Sequence, residues 1–363
     1  MNYRDCLKDV LPYVPGRSEE EIKREYGLDK VVKIASNENP YGPTPAIGKF
    51  IGKINYEIYP DNYVTNLREN LARELDVPQD FLLFGNGSVE IIQMISRILL
   101  DEGDNIITEL PSFSSYFSEA KIQNANIKTI RYNNEYNFNL EDMIPLIDKK
   151  TKIIYITNPN NPLGTIIESD KLEKFIKKVP SNILIVIDEA YFEFVRDEKY
   201  KSAIGLVKDY SNVCVLRTFS KAYGLAALRI GYVVADKKVI TELEKVRVPF
   251  NTSSISQICA GLALKDKKFM RNSVEKIHDT IDYMYRKLDD MNIEYIKTQA
   301  NFIMINLNKK SDIGAQELIK RGYIVRGGFP LMDNWIRVSI STYEDMKGFI
   351  CALQEVIKWK LVF

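Results

Sequence analysis

Five short apolar runs, Asn105 to Thr108, Ile127 to Tyr132, Lys152 to Thr157, Ile183 to Ile187 and Val213 to Leu216, recur between stretches with helical patterning. Runs of this length, rich in Ile and Val, read as strands buried on both faces. Strands of that kind alternating with helices predict an α/β fold built on a mostly parallel sheet flanked by helices. Ligands of such sheets bind beyond the carboxyl ends of the strands. The residues that follow each run are therefore the ones to inspect.

The rest of the chain completes two parts. Ahead of the alternation, Leu67, Leu71 and Leu75 mark one helix face, and Phe81 to Phe84 reads as a strand. The turn Gly85-Asn86-Gly87-Ser88 then leads into a helix marked by Ile91, Ile92, Ile95, Ile98 and Leu99. Val31 to Ala35 reads as a short strand before a loop crowded with Asn, Pro and Gly. Residues 1–30 form an arm whose one helix starts at the capping pair Ser18 and Glu21 and stops at Gly27. Beyond residue 250 the pattern predicts helices at 253–264, 266–291, 311–320 and 343–360. Strands are predicted at Tyr295 to Leu307, Ile324 to Arg326 and Trp335 to Ile340. The expectation is a large domain over 31–250 and a smaller α+β domain from 251–363 joined by the arm at 1–30. A chain of 363 residues can hold both.

Composition narrows the chemistry. A net charge of +1 gives no general reason to expect nucleic acid or a membrane surface as partner. The single histidine, His278, excludes any site that needs two imidazoles and reads as a surface residue of a charged helix. Cys6, Cys214, Cys259 and Cys351 have no metal-site or disulfide spacing and read as reduced thiols, so no metal is expected. No run is long and apolar enough to span a bilayer, and the start of the chain is charged where a signal peptide is apolar. The expected location is cytoplasmic.

The strand ends supply the site. Asn161 follows the third run, Asp188 and Tyr191 the fourth, and Ser220 and Lys221 the fifth, with Arg229 eight positions beyond Lys221. Taken alone, Lys221 and Arg229 read equally as a surface lysine on a turn and an arginine on a nearby strand. Together the residues suit pyridoxal 5'-phosphate. A lysine in a dry, positively biased pocket becomes a nucleophile toward an aldehyde and can later shuttle a proton. Asp188, costly at the end of a buried strand unless paired, would meet a protonated ring nitrogen. Tyr191 and Asn161 would bond the ring's phenolic oxygen, and Phe113 would stack on its face. Ser220, Arg229 and the N–H groups of Ser88 and Val89 at a helix start would take the phosphate.

These residues sit in blocks that resemble a known family. Ser36-Asn37-Glu38-Asn39-Pro40, Tyr59-Pro60, Gly85-Asn86-Gly87-Ser88, Asn158-Pro159-Asn160-Asn161-Pro162, Asp188-Glu189-Ala190-Tyr191 and Thr218-Phe219-Ser220-Lys221 occur in order. The chain is similar to the fold-type-I pyridoxal-phosphate aminotransferases, most of all the histidinol-phosphate aminotransferases. The resemblance implies an aspartate-aminotransferase-like fold and a homodimer with shared sites, in which Tyr59 reaches the neighbour's cofactor phosphate. It further implies glutamate and a small phosphorylated partner as substrates. Arg337 would hold the α-carboxylate, and Tyr13 and Arg326 the distal phosphate. Val89, Leu163, Ala227 and Ser341 depart from the family pattern, and the loop at 327–336 is short. Three other readings stay open: transamination of a smaller phosphorylated ketone of the dihydroxyacetone-phosphate type, decarboxylation of an O-phospho-amino acid such as phosphoserine or phosphothreonine, and a non-catalytic sensor.

Overall fold

The computed structural model describes residues 1–358 apart from 11, 13–16, 51 and 53. The candidate residue Tyr13 lies outside the described residues. Helix α1 (Glu19–Tyr26) has the ends its sequence predicts. Ser18 Oγ accepts the Glu21 N–H at 3.2 Å, and Gly27 takes the left-handed conformation, φ +64°, after its last turn. Ile22 packs with Val31 and Ile324, and β1 (Val32–Lys33) pairs in parallel with Tyr323 and Ile324. Helix α1 and β1 are thereby tied to Tyr323 and Ile324, toward the other end of the sequence.

The large sheet and its helices follow. They are α2 (Thr65–Leu75), β2 (Leu82–Gly85), α3 (Ser88–Leu99), β3 (Asn105–Leu110), α4 (Ser114–Ile122), β4 (Asn126–Arg131), β5 (Thr151–Thr157), α5 (Ser169–Ile176), β6 (Leu184–Asp188), β7 (Val213–Thr218), β8 (Gly231–Ala235) and α6 (Lys237–Val246). Seven strands lie in the order β2-β8-β7-β6-β5-β3-β4. Strands β4, β3, β5, β6 and β7 are parallel neighbours, while β8 runs against both β7 and β2. The alternation in the sequence does not mark β8. Tyr232 to Ala235 follows the Lys221–Arg229 segment without an intervening α-helix, and an antiparallel return needs no helical crossover.

Side chains along each central strand alternate between two cores. Ile154, Ile156, Ile185, Ile187, Val213 and Val215 pack with α2 and α5 on one face. Ile153, Tyr155, Leu184, Val186, Cys214 and Leu216 pack with α3, α4 and α6 on the other. Both faces are buried, which is why the runs are continuously apolar. Full burial of one such Ile or Val is worth about 1.5–3 kcal/mol, more than a surface ion pair returns. Charge within these strands therefore needs a specific partner.

The remaining elements are α7 (Ser254–Lys265), α8 (Lys267–Asp290), β9 (Tyr295–Ile296), β10 (Phe302–Asn306), α9 (Ser311–Lys320), β11 (Tyr323–Ile324), β12 (Trp335–Ser339) and α10 (Tyr343–Lys358). Strands β9 and β12 flank β10, both antiparallel to it. The single strand expected from Tyr295 to Leu307 is thus two strands of a hairpin. Polar Lys297 to Gln299 interrupt it, and the Gln299 N–H bonds the Gly164 carbonyl at 2.8 Å. A core of Ile277, Ile281, Phe302, Ile336, Phe349 and Leu353 holds these elements together and also takes in Ile34, Tyr191 and Ala222. Helix α7 buries Cys259, Ala260, Ala263 and Leu264 in the first core instead. We therefore propose to draw the boundary of the larger part after α7, where the expectation put it at 250.

His278 differs from its expected surface placement. It is half-buried on α8, its Nε2 lies 2.8 Å from the Phe194 carbonyl, and burial lowers its pKa. No helix among the described residues is long and apolar enough to cross a membrane.

Candidate active site

The carboxyl ends of β5, β6 and β7 are in register, Thr157 beside Asp188 and Asp188 beside Leu216. Just beyond them Lys221 turns back toward the loop that follows β1, and its Nζ donates to the Ser36 carbonyl at 2.9 Å. Burial, then the positive charge of Arg337, brings this amine down to about 7. An amine near 7 is substantially neutral at physiological pH, the condition for attack on an aldehyde. Lys221 is half-buried, and burial and the Arg337 charge both disfavour the protonated amine there.

Asp188 is buried, and burial raises its pKa. Two groups compensate for its position: the Tyr116 hydroxyl donates to Oδ2 at 2.7 Å and the Ala190 N–H to Oδ1 at 3.1 Å. Tyr191 is also buried, with its ring edge-on to Phe302 at 5.1 Å, and its hydroxyl accepts from Asn37 Nδ2 at 2.9 Å. Asn37 is itself fixed by Ser339, whose hydroxyl donates to Asn37 Oδ1 at 2.8 Å. Asn161 Oδ1 accepts from Arg337 Nη1, and Arg337 Nη2 donates to the Ala35 carbonyl at 2.6 Å. The expected pair around a ring oxygen, Tyr191 and Asn161, thus also links to both halves of the fold.

The phosphate-type cradle forms at the start of α3. No side chain caps this helix end, where Gly87 adopts φ +77°. A Cβ on Gly87 would stand 2.5 Å from Arg229 Nη2, so only glycine lets the guanidinium lie against the turn. Arg229 Nη1 in turn lies 3.5 Å from Ser220 Oγ. Ser88, Val89, Ser220 and Arg229, distant in sequence, meet because β8 pairs with both β2 and β7. Phe113 sits at the start of α4, edge-on to Tyr116 at 5.7 Å.

The remaining candidates lie farther out. Arg326 is exposed, but its backbone forms an antiparallel bridge with Arg337, which puts both side chains on one face. Tyr59 is 79% exposed and stacks on Phe250 at 4.7 Å. Asn37, Tyr116 and the Ser36 carbonyl, which carry no predicted role, join the site through contacts between distant segments. For Tyr116 a signal existed, since it follows Phe113 by three positions and so shares its helix face. For Asn37 the signal was the residue type, because its φ of +57° is one that Asn tolerates better than most.

The sequence profile of the class I and II aminotransferases matches residues 29–353. The chain belongs to this family. It is 41% identical over 360 residues to histidinol-phosphate aminotransferase 1 of Bacillus cereus, covering 98% of this chain and 97% of that one. It is 40% identical over 364 residues to the histidinol-phosphate aminotransferase of Halalkalibacterium halodurans, covering 99% and 98%. Among solved structures, the histidinol-phosphate aminotransferase of Sinorhizobium meliloti in complex with pyridoxal-5'-phosphate aligns with TM-score 0.89 at 26% identity, over 98% of this chain and 97% of that one. The aspartate aminotransferase of Thermotoga maritima shares the fold, with TM-score 0.84 at 20% identity over 98% of this chain and 100% of that one. This aminotransferase therefore has the fold-type-I architecture expected from its sequence.

The aminotransferase site fits pyridoxal phosphate on its own geometry. The residues present suit its parts: Arg229 laid against Gly87 for a phosphate, the buried Asp188 carboxylate, the Lys221 amine near 7, and the Phe113 ring at the start of α4. Among the described residues there is no group of three or more His, Cys, Asp and Glu that could hold a metal ion.

Proposed function

We propose that this protein is a pyridoxal-phosphate-dependent aminotransferase that moves the amino group of histidinol phosphate to 2-oxoglutarate, working as a homodimer. The observation that carries the reading is the Lys221 amine, brought down to about 7 by burial and the charge of Arg337 just beyond the in-register ends of parallel strands. Identity of 41% to histidinol-phosphate aminotransferases supports the substrate. Bound pyridoxal phosphate supplies an aldehyde for covalent attachment and a cationic ring that withdraws electrons from the reacting carbon. Lys221 would hold it covalently and, once displaced by the substrate amine, take and return the proton at the amino-bearing carbon. Asp188 would face the ring nitrogen, while Tyr191 and the Asn161 Nδ2 would bond the ring oxygen. Ser220, Arg229 and the Ser88 and Val89 N–H groups would hold the phosphate, with Phe113 against the ring. Arg337 would take the substrate carboxylate of glutamate or 2-oxoglutarate, and Arg326 with Tyr13 the distal phosphate.

A half-reaction screen tests this reading. The loaded protein is mixed separately with glutamate, histidinol phosphate, phosphoserine and phosphothreonine while the visible spectrum and carbon dioxide are followed. Spectral conversion by the first two without gas release is expected. Gas release from a phospho-amino acid would replace transamination with decarboxylation.

Arg326→Ala should raise KM for histidinol phosphate by about 10–100-fold, the worth of a charge-assisted hydrogen bond, and leave KM for glutamate within about threefold. Steady-state kinetics with each substrate varied decides it, and equal losses on both would reject the assignment.

Exposed Tyr56, Ile58, Tyr59, Tyr63, Val248 and Phe250 support the dimer, because large apolar groups gathered at a surface favour an interface. If Tyr59 serves the neighbour's site, a mixture refolded from Tyr59→Ala and Lys221→Ala subunits regains activity that neither parent has. One site of the mixed dimer then holds both native residues. Activity no greater than the Tyr59→Ala parent alone would place Tyr59 outside the partner's site.

A further inference from the structure

Glu109 ends in the core at the carboxyl end of β3, fully buried, with no part in the chemistry above. Its Oε1 accepts the Thr157 N–H at 3.1 Å, and its Oε2 lies 3.1 Å from the Thr108 hydroxyl and 3.4 Å from Ser112 Oγ. Ser112 Oγ is 3.0 Å from Thr157 Oγ1, and Thr157 Oγ1 is 3.3 Å from the Tyr116 hydroxyl. That hydroxyl is the one that donates to Asp188. Three hydroxyls therefore connect two buried carboxyl groups on different strands.

Counting protons along this connection is decisive. Ser112, Thr157 and Tyr116 bring one hydroxyl proton each, whereas four contacts separate Glu109 from Asp188. With both carboxyls ionised, one contact has no proton and two oxygens face each other, which is costly at the buried Thr157 and Tyr116 and less so at the half-buried Ser112. One added proton completes the chain. Placed on Glu109, it lets Ser112, Thr157 and Tyr116 all point toward Asp188. In its protonated form Lys221 favours a negative Asp188, which also accepts the Ala190 N–H, while the bonds to Glu109 come only from hydroxyls and a backbone N–H.

We infer that Glu109 is a positioning residue that carries this proton and, through Ser112, Thr157 and Tyr116, keeps Asp188 ionised toward the cofactor's ring nitrogen. The inference rests on the pyridoxal-phosphate reading for the role of Asp188, but the proton on Glu109 is a property of the protein alone. Burial pushes the Glu109 carboxyl up to about 7. The titratable group facing it is the Tyr116 phenol, which burial holds well above its usual value, with the charges of Asp188 and Glu109 adding to the effect. Two carboxyls sharing one proton titrate as a pair.

The test starts with the whole, cofactor-free protein and infrared difference spectra of the neutral carboxyl stretch across pH. At neutral pH the wild type should show a band that Glu109→Gln removes. Tyr116→Phe frees Ser112 and Thr157 to point at Glu109, so the pH at which the band disappears should fall by about one unit. The second readout is equilibrium binding of pyridoxal phosphate. Glu109→Gln, whose amide donates to Ser112 as the neutral acid does, should bind within about threefold of wild type, and Glu109→Leu should lose about tenfold. A band unchanged by Glu109→Gln, a midpoint unmoved by Tyr116→Phe, or equal binding losses for Gln and Leu would each overturn the inference. Should Glu109→Leu not fold, the first two measurements decide alone. A wild type that shows the band yet ignores pyridoxal phosphate would defeat the proposed function and with it the role given to Asp188.

Discussion

Lys221→Ala should lower turnover by at least about ten-thousandfold, because it removes both the covalent anchor and the proton carrier. Among the described residues no other lysine is brought down to about 7. The amine reaches about 7 through burial and the charge of Arg337, a setting that a neighbouring lysine on the surface does not share. The protein as purified should be yellow and bleach with borohydride, leaving a covalent adduct that the variant cannot form. The pH dependence follows from the same group. Only the neutral amine attacks an aldehyde, so the rate at which cofactor-free protein takes up pyridoxal phosphate should rise with pH through about 7 and then level. A rate still climbing well above that point would mean an ordinary exposed lysine, and retained turnover in the variant would remove Lys221 from the mechanism.

Arg217→Met should cost about 3–5 kcal/mol of stability, measured by urea unfolding, because it strands buried acids. Arg217 is buried on β7. Its Nη2 lies 2.7 Å from Glu189 and 2.9 Å from the Ser202 hydroxyl, its Nη1 lies 3.5 Å from Glu193, and its guanidinium covers the Phe192 ring at 3.7 Å. Glu189 follows Asp188 directly, so this pair braces the strand end that presents the site. Burial raises the pKa of Glu193 and Arg217 opposes that rise. Without the arginine, the folded pKa of Glu193 moves further above its unfolded value. The folded state then binds more protons than the unfolded one, and stability is lost as pH rises through that range. The deficit should therefore be smaller near about pH 5 than near about pH 8. The exposed pair Lys178–Glu141 is the control, and Glu141→Gln should cost under about 1 kcal/mol. A similarly small loss for Arg217→Met would show that the buried acids find other partners.

Much of this was legible in the sequence because it depends on local rules. The central strands read as unbroken apolar runs since both their faces are buried, and Ser18 and Gly27 bound α1 through backbone requirements that act within a few residues. Lys221, Asp188 and Tyr191 could be picked out because a parallel sheet delivers the residues after its strands to one edge. What stayed hidden depends on contacts between distant segments. Asn37 meets Tyr191 across 154 positions, and Tyr116 meets Asp188 across 72. Strand β8, although short and apolar, could be placed only by its two antiparallel neighbours.

By itself, then, the sequence determined the parallel core strands, most of the helices and the chemical groups that follow the strands, since each follows from local periodicity and residue type. Only the tertiary structure decided their state. An amine near 7, an arginine laid against Gly87 and a carboxylate held by Tyr116 arise where segments far apart in the chain exclude water together. Charge and hydrogen-bond strength depend on that shared burial, which no short stretch of chain contains.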